Sequence, residues 1–186
     1  MNKRILLAGV LAGIALFAWE AVAHMATPLG AAGFKTLPNE AVTLGLLNHA
    51  VQDTGLFFFP LPKEMGGSPV AGSPTGLLLF NRHGSLEMNP TQFALQLLFD
   101  IVAMLLAAYV VSQLAPGTSF SGQLTIVLML SLFASLRAGL PMWNWYGFPR
   151  RYAAAQMAID IVGFLIGGVI VAKLVRPAAK SMSAAA

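Results

Sequence analysis

The chain has 186 residues, 57% hydrophobic and 10% charged, where an average soluble domain carries about 25% charged residues. With a mean hydropathy of +0.73, residues 1–186 read as a single membrane domain rather than a soluble core. The formal charge of +4 does not signal nucleic acid, because the basic residues sit at the ends of apolar segments and form no stripe. The absence of cysteine excludes disulfides, thiolate metal sites, covalent haem attachment and a cysteine-linked lipid anchor.

In chain order, the basic start Lys3-Arg4 leads into an apolar run over residues 5–26. A stretch this long crosses a hydrocarbon core of about 30 Å as a helix. The same run resembles a secretory signal, with Ala21-Val22-Ala23 as an A-x-A site. Apolar character continues past Trp19 to Met25, and Gly9 and Gly13 suit helix packing, so a retained span is the expectation. Residues 27–90 form the one sizeable loop. Thr36-Leu37-Pro38-Asn39-Glu40 predicts a helix start with Thr36 as cap, running to about Val51. Asp53-Thr54-Gly55 makes a turn, and Leu56–Phe59 and Leu77–Phe80 are short strands able to pair. The prolines and glycines between them predict an irregular connection. Because two strands are marginal alone, this subdomain is expected to pack on the ends of the bundle through Phe57, Phe58 and Phe59.

Three more spans follow, over about 91–114, 122–142 and 152–174. Asn89-Pro90 starts the first of these and Pro116-Gly117 ends it, while Pro141 and Pro149 bracket the turn between the last two. The fold class is therefore an all-α membrane protein, a four-helix transmembrane bundle with a small extracytoplasmic α/β cap between helices 1 and 2. Basic residues place both termini in the cytoplasm. Lys3, Arg4, Lys173, Arg176 and Lys180 gather on one side, and only Arg150 and Arg151 lie close to spans on the other. The expected location is the bacterial inner membrane.

Each span carries one charge: Glu20, Asp100, Arg137 and Asp160. Charge in a bilayer is costly and marks a functional-site candidate. By helix rise the four lie roughly 10, 14, 6 and 12 Å from the ends of their spans, and alternation of the spans puts those ends on one membrane face. Gln96 and Asp100 share a stripe with Gln92. Gln156 and Asp160 lie above Gly163 and Gly167. Gly9, Gly13, Glu20 and His24 line one face of the first span. Both glycine pairs are GxxxG motifs that let helices approach closely. Three carboxylates against one guanidinium leave an imbalance, to be met by protonation, by His24, Arg150 or Arg151, or by a bound cation. Arg137 offers a bidentate fork to one carboxylate, yet it is also shallow enough to snorkel, and the polar side chains can serve as simple interhelical cross-links.

Trp143-Asn144-Trp145-Tyr146-Gly147-Phe148-Pro149 joins the last two spans. With Trp19, it reads as an interfacial aromatic belt, or as a lid over the polar layer or a docking site. Metalloprotease, phosphate-loop and nucleophile-elbow motifs are absent, so the reading leans away from an enzyme without deciding the matter. Of the histidines at 24, 49 and 83, only His24 is in a span, which argues against haem. No cofactor and no metal is assigned, and the Glu20–His24 pair is read first as a satisfied hydrogen bond.

Trp19-Glu20-x-x-x-His24-Met25, Leu29-Gly30, Leu37-Pro38-Asn39-Glu40, Gly55-Leu56-Phe57-Phe58-Phe59-Pro60 and the aromatic turn together resemble a group of uncharacterised bacterial inner-membrane proteins. The resemblance implies four spans and one extracytoplasmic loop, and no activity. The chain departs from that group at Glu20, where the pattern has a small residue, so no shared role is implied for Glu20. The leading functional expectation is an interaction, assembly or accessory subunit, with lipid and other membrane subunits or a second copy as partners. The alternatives are a small transporter or proton/cation relay using Asp100, Asp160 and Glu20, and a lipid- or quinone-binding subunit.

Overall fold

The computed structural model describes residues 2–84 and 88–175. Arg176 and Lys180, used above for orientation, lie outside the described residues. The chain is mostly helical with one small sheet, and four helices are long and apolar enough to cross a membrane.

The first, α1, covers Lys3–Ala26, and the Asn2 side chain caps it by accepting from the Arg4 backbone N–H at 3.1 Å. It ends where Thr27 Oγ1 donates to the Ala23 carbonyl and accepts from Leu29 N–H. The chain then folds back sharply. Gly30 lies against the His24 backbone and Gly33, at φ +86°, sits over Tyr152. Both the close approach and the left-handed conformation require a residue without Cβ.

Helix α2 is Glu40–Ala50, so the start expected at Thr36 is corrected. Leu37 precedes proline and is driven out of helical geometry, and Asn39 adopts a left-handed conformation at φ 49° before the helix begins. Strands β1 (Gly55–Phe59) and β2 (Gly76–Phe80) pair antiparallel, with Phe57 opposite Leu78. The sheet is tied to α2 by Arg82, whose Nη1 donates to the carbonyls of Asn48 at 3.1 Å and Val51 at 2.7 Å. A guanidinium here satisfies carbonyls that a helix end leaves unpaired. Arg82→Ala is expected to speed amide exchange in α2 and the hairpin while leaving the long helices unchanged, as hydrogen-exchange mass spectrometry would show.

Helix α3 is Pro90–Ser112, opened by a capping box in which Asn89 accepts from Thr91 N–H and Gln92 Oε1 accepts from Asn89 N–H. Gln92 therefore belongs to the cap rather than to a polar stripe. Helix α4 is Phe120–Ala134, followed by a π turn at Ser135–Gly139 and by α5, Leu140–Tyr146. These three run as one helix of 27 residues, Phe120–Tyr146. The expected end at residue 142 is corrected. Proline inside a helix lacks a donor and crowds the carbonyl four residues back. The π turn widens the helix just ahead of Pro141, with Leu140 N–H bonding to the Ser135 carbonyl, and the helix continues through the tryptophans. It stops at Gly147, at φ 72°. Helix α6 is Arg150–Leu174.

Helix α1 packs chiefly on α3 and α6, and α4 packs on α6, so the order around the bundle is α3–α1–α6–α4. Its apolar core occupies one half of the helices' length. Ala8, Ala12 and Leu16 meet Met104, Ala107, Ala108 and Val111 there, with Val127 and Val171. Small residues set the spacing. A Cβ on Gly13 would fall on the Ile101 backbone of α3, and one on Gly9 would lie 2.8 Å from the Leu105 Cα. Gly163 faces Leu16 and Trp19, Gly167 faces Met104, and Gly168 faces Leu124 and Val127 of α4. Both expected GxxxG pairs thus lie at close interhelical contacts, the role small residues take where lipid supplies no hydrophobic drive between helices.

A carboxylate cavity between three helices

The other half of the bundle holds the polar residues. Gln96 of α3 is the junction: its Nε2 donates to Glu20 Oε2 of α1 at 3.0 Å and to Asp100 Oδ1 at 2.9 Å. Asp100 is 4% exposed, and its Oδ2 is buried with no hydrogen-bond partner. Asp160 of α6 accepts at Oδ2 from Ser135 Oγ at 3.0 Å. Ser135 begins the π turn, the kind of local widening often found at functional sites.

Glu20, His24, Gln96, Gln156 and Asp160 line one cavity of ≈ 470 Å³, together with Phe17, Ala21, Met25, Met88, Phe93 and Ile159. Of the seven residues expected in the polar layer, five wall this cavity and Asp100 is joined to it through Gln96. Arg137 does not join them. It sits on the π turn, exposed, and is absent from the cavity wall. The hydroxyl of Ser135, not the guanidinium of Arg137, faces Asp160. The physical reason is the π turn itself, which adds a residue to the helical turn and so shifts the face that residue 137 presents.

His24 and Glu20 share a hydrogen bond, through the backbone rather than the carboxylate: His24 Nδ1 lies 2.9 Å from the Glu20 carbonyl oxygen, leaving the Glu20 carboxylate to Gln96. Among the described residues no three His, Asp or Glu side chains converge as metal ligands.

Trp19 packs between helices. It is half-buried, and its Nε1 donates to the Ile159 carbonyl at 2.9 Å, in the space left by Gly163. This bond fixes α1 against α6 one residue from Glu20 and from Asp160. Trp19→Phe keeps one aromatic ring but loses the pyrrole half with its donor, so a loss of at least about 1 kcal/mol is expected, readable as a lower unfolding midpoint in detergent.

The aromatic segment does not lid this cavity. Trp143 stacks under Arg150, with the guanidinium carbon 5.9 Å from the ring centroid. Trp145 and Tyr146 instead face the hairpin across an apolar groove of ≈ 430 Å³, lined also by Leu56, Phe58, Met65 and Leu77. Of the three phenylalanines expected to dock the hairpin, Phe58 lines this groove.

Ser135 and the apolar cavity wall escaped the sequence reading. A signal for Ser135 exists: Gln123, Val127, Ser131 and Ser135 recur every fourth residue and are all buried, a polar stripe in an otherwise apolar helix. No known protein family, curated protein or solved structure matches the chain.

Proposed function

We propose that the protein is a multi-pass membrane protein that takes up small cations, protons included, into the cavity walled by Glu20 and Asp160. One observation carries this reading. Two carboxylates from different helices face a common open cavity, and neither lysine nor arginine stands among its walls. Helix-to-helix cross-linking alone would bring such groups together as saturated, closed pairs. Here Asp100 keeps a buried oxygen without a partner. Gln96 holds Glu20 and Asp100 in place, Ser135 orients Asp160, and Trp19 sets the spacing of α1 and α6. Proteoliposomes holding the purified protein and a pH-sensitive dye test it. Cation- or proton-driven signal above empty vesicles is expected, with at least about a tenfold loss when Glu20→Gln and Asp160→Asn are combined, since each removes a charge-assisted partner. A double variant as active as the wild type, or no signal from either, sinks the proposal.

The second reading is an assembly or accessory subunit, favoured by the groove between the hairpin and α5, where Trp145 is 75% exposed. Mild-detergent purification that yields the chain alone and monomeric would remove this reading.

For topology we place both termini in the cytoplasm of a bacterial inner membrane and the loop outside. Lys3 and Lys173 lie at the same end of the bundle, on the first turn of α1 and the last of α6, which supports this orientation. The chain has no cysteine, so Ser68→Cys, at an exposed loop position, is a clean reporter. A membrane-impermeant maleimide is expected to label it in spheroplasts without lysis. Labelling only after lysis would invert the topology.

A further inference from the structure

We infer, resting on the cation reading above, that the ligand of this cavity is an organic ammonium ion with an apolar body. Size argues first. A proton or bare metal ion needs no cavity of ≈ 470 Å³, whereas small-molecule sites occupy about 300–1,000 Å³. The wall chemistry argues second. A hard metal ion wants a shell of about six oxygens, and no three ligating carboxylate or imidazole side chains converge among the described residues. Besides the polar Glu20, His24, Gln96, Gln156 and Asp160, the lining is carbon: Phe17, Ala21, Met25, Met88, Phe93 and Ile159. A ligand with one charged end and one apolar end fits such a mixed lining.

The acceptors are available. Gln96 spends its amide donor on Glu20 Oε2 and Asp100 Oδ1, and Ser135 serves Asp160 at Oδ2. Glu20 Oε1 and Asp160 Oδ1 have no hydrogen-bond partner among the described residues, and the Gln156 amide stands on the same wall. An ammonium group offers three donors and no acceptor, which matches two carboxylate oxygens and an amide oxygen. The rings of Phe17 and Phe93 can add attraction for the cation.

The probe is 2-phenylethylammonium, measured by isothermal titration calorimetry on the purified full chain in non-ionic detergent. Its neutral counterpart 2-phenylethanol has the same shape without the charge, and sodium chloride supplies a bare cation. Saturable binding of the ammonium is expected, about tenfold or more tighter than the alcohol, as one charge-assisted contact allows. Asp160→Asn should weaken it by a similar factor, and Phe93→Ala should weaken it while leaving the carboxylates intact. The comparison of the two probes on the wild-type protein stands even where a variant fails to fold. Equal binding of the alcohol, displacement by sodium at equimolar concentration, or no saturable binding of the amine overturns the inference. If the amine does not bind while proteoliposomes still move protons, only the ligand class falls and the cation reading stands. If both fail, the cation reading falls as well.

Discussion

Gly13→Ala is expected to destabilise the bundle by about 1–3 kcal/mol, the usual cost of forcing a methyl group into a close-packed interior. The added Cβ would land on the Ile101 backbone of α3. Backbone in a helix cannot swing aside as a side chain can, so α1 and α3 must separate along their whole contact. Gly163→Ala meets only side-chain atoms of Leu16 and Trp19, and should therefore cost less. Gly45→Ala in α2 is the control. Nothing lies within 4 Å of its Cβ, and replacing a mid-helix glycine should gain about 0.5–1 kcal/mol. Unfolding midpoints in detergent would rank the three. The outcome also bears on the first apolar segment. If residues 5–26 were a cleaved signal, Gly13→Ala would leave the mature protein untouched. A wild-type midpoint for this variant would count against α1 as part of the bundle.

Gln96→Leu is expected to be the most damaging change in the polar half. One amide nitrogen serves Glu20 and Asp100 at 3.0 and 2.9 Å. Leucine removes it without opening a hole and leaves two carboxylates near one another with no shared donor. An orphaned buried acceptor costs about 1–3 kcal/mol; Asp100 Oδ1 becomes one, while Glu20, on the open cavity, loses its donor at smaller cost. Cation uptake in proteoliposomes should fall with stability. Gln92→Leu, one turn earlier on the same helix, should lose only the reciprocal bond of the α3 cap, about 0.5–2 kcal/mol at most, with uptake preserved. Equal behaviour of the two variants would show that Gln96 has no role beyond helix entry. Double-mutant cycles with Glu20→Gln would then apportion the coupling.

Much of the architecture is legible in the sequence. The four apolar helices, the Asn89-Pro90 start, the hairpin and both glycine faces follow from local rules. Span length, proline geometry, alternation and small-residue spacing each act within a few residues. Glu20, Asp100 and Asp160 stand out because each is a charge in an apolar run. Where expectation failed, the deciding contact was distant in sequence or the helix was not ideal. Counting along a helix gives a depth for Arg137 but not the face it presents, and the π turn at Ser135–Gly139 changes that face. The hydrogen bond of Trp19 is invisible in the sequence because its partner, the Ile159 carbonyl, is a backbone group on another helix and carries no residue signature. The helix start at Glu40 rather than Thr36 turned on the conformations of Leu37 and Asn39, local in sequence but set by competing turn geometries.

Composition and periodicity alone determined that this chain builds four long apolar helices carrying isolated carboxylates, because hydrophobicity and helical pitch are properties of single segments. Which carboxylate meets which donor was decided only by the packing of α1, α3, α6 and the π turn. Hydrogen bonds between side chains depend on relative helix rotation, and a rotation of one residue's worth, such as a π turn supplies, is invisible to any count along one helix. Tertiary packing brings Glu20 and Asp160 to one cavity beside apolar side chains and ties Asp100 to it through Gln96, and that arrangement, rather than the charges themselves, underlies the proposal of an organic cation.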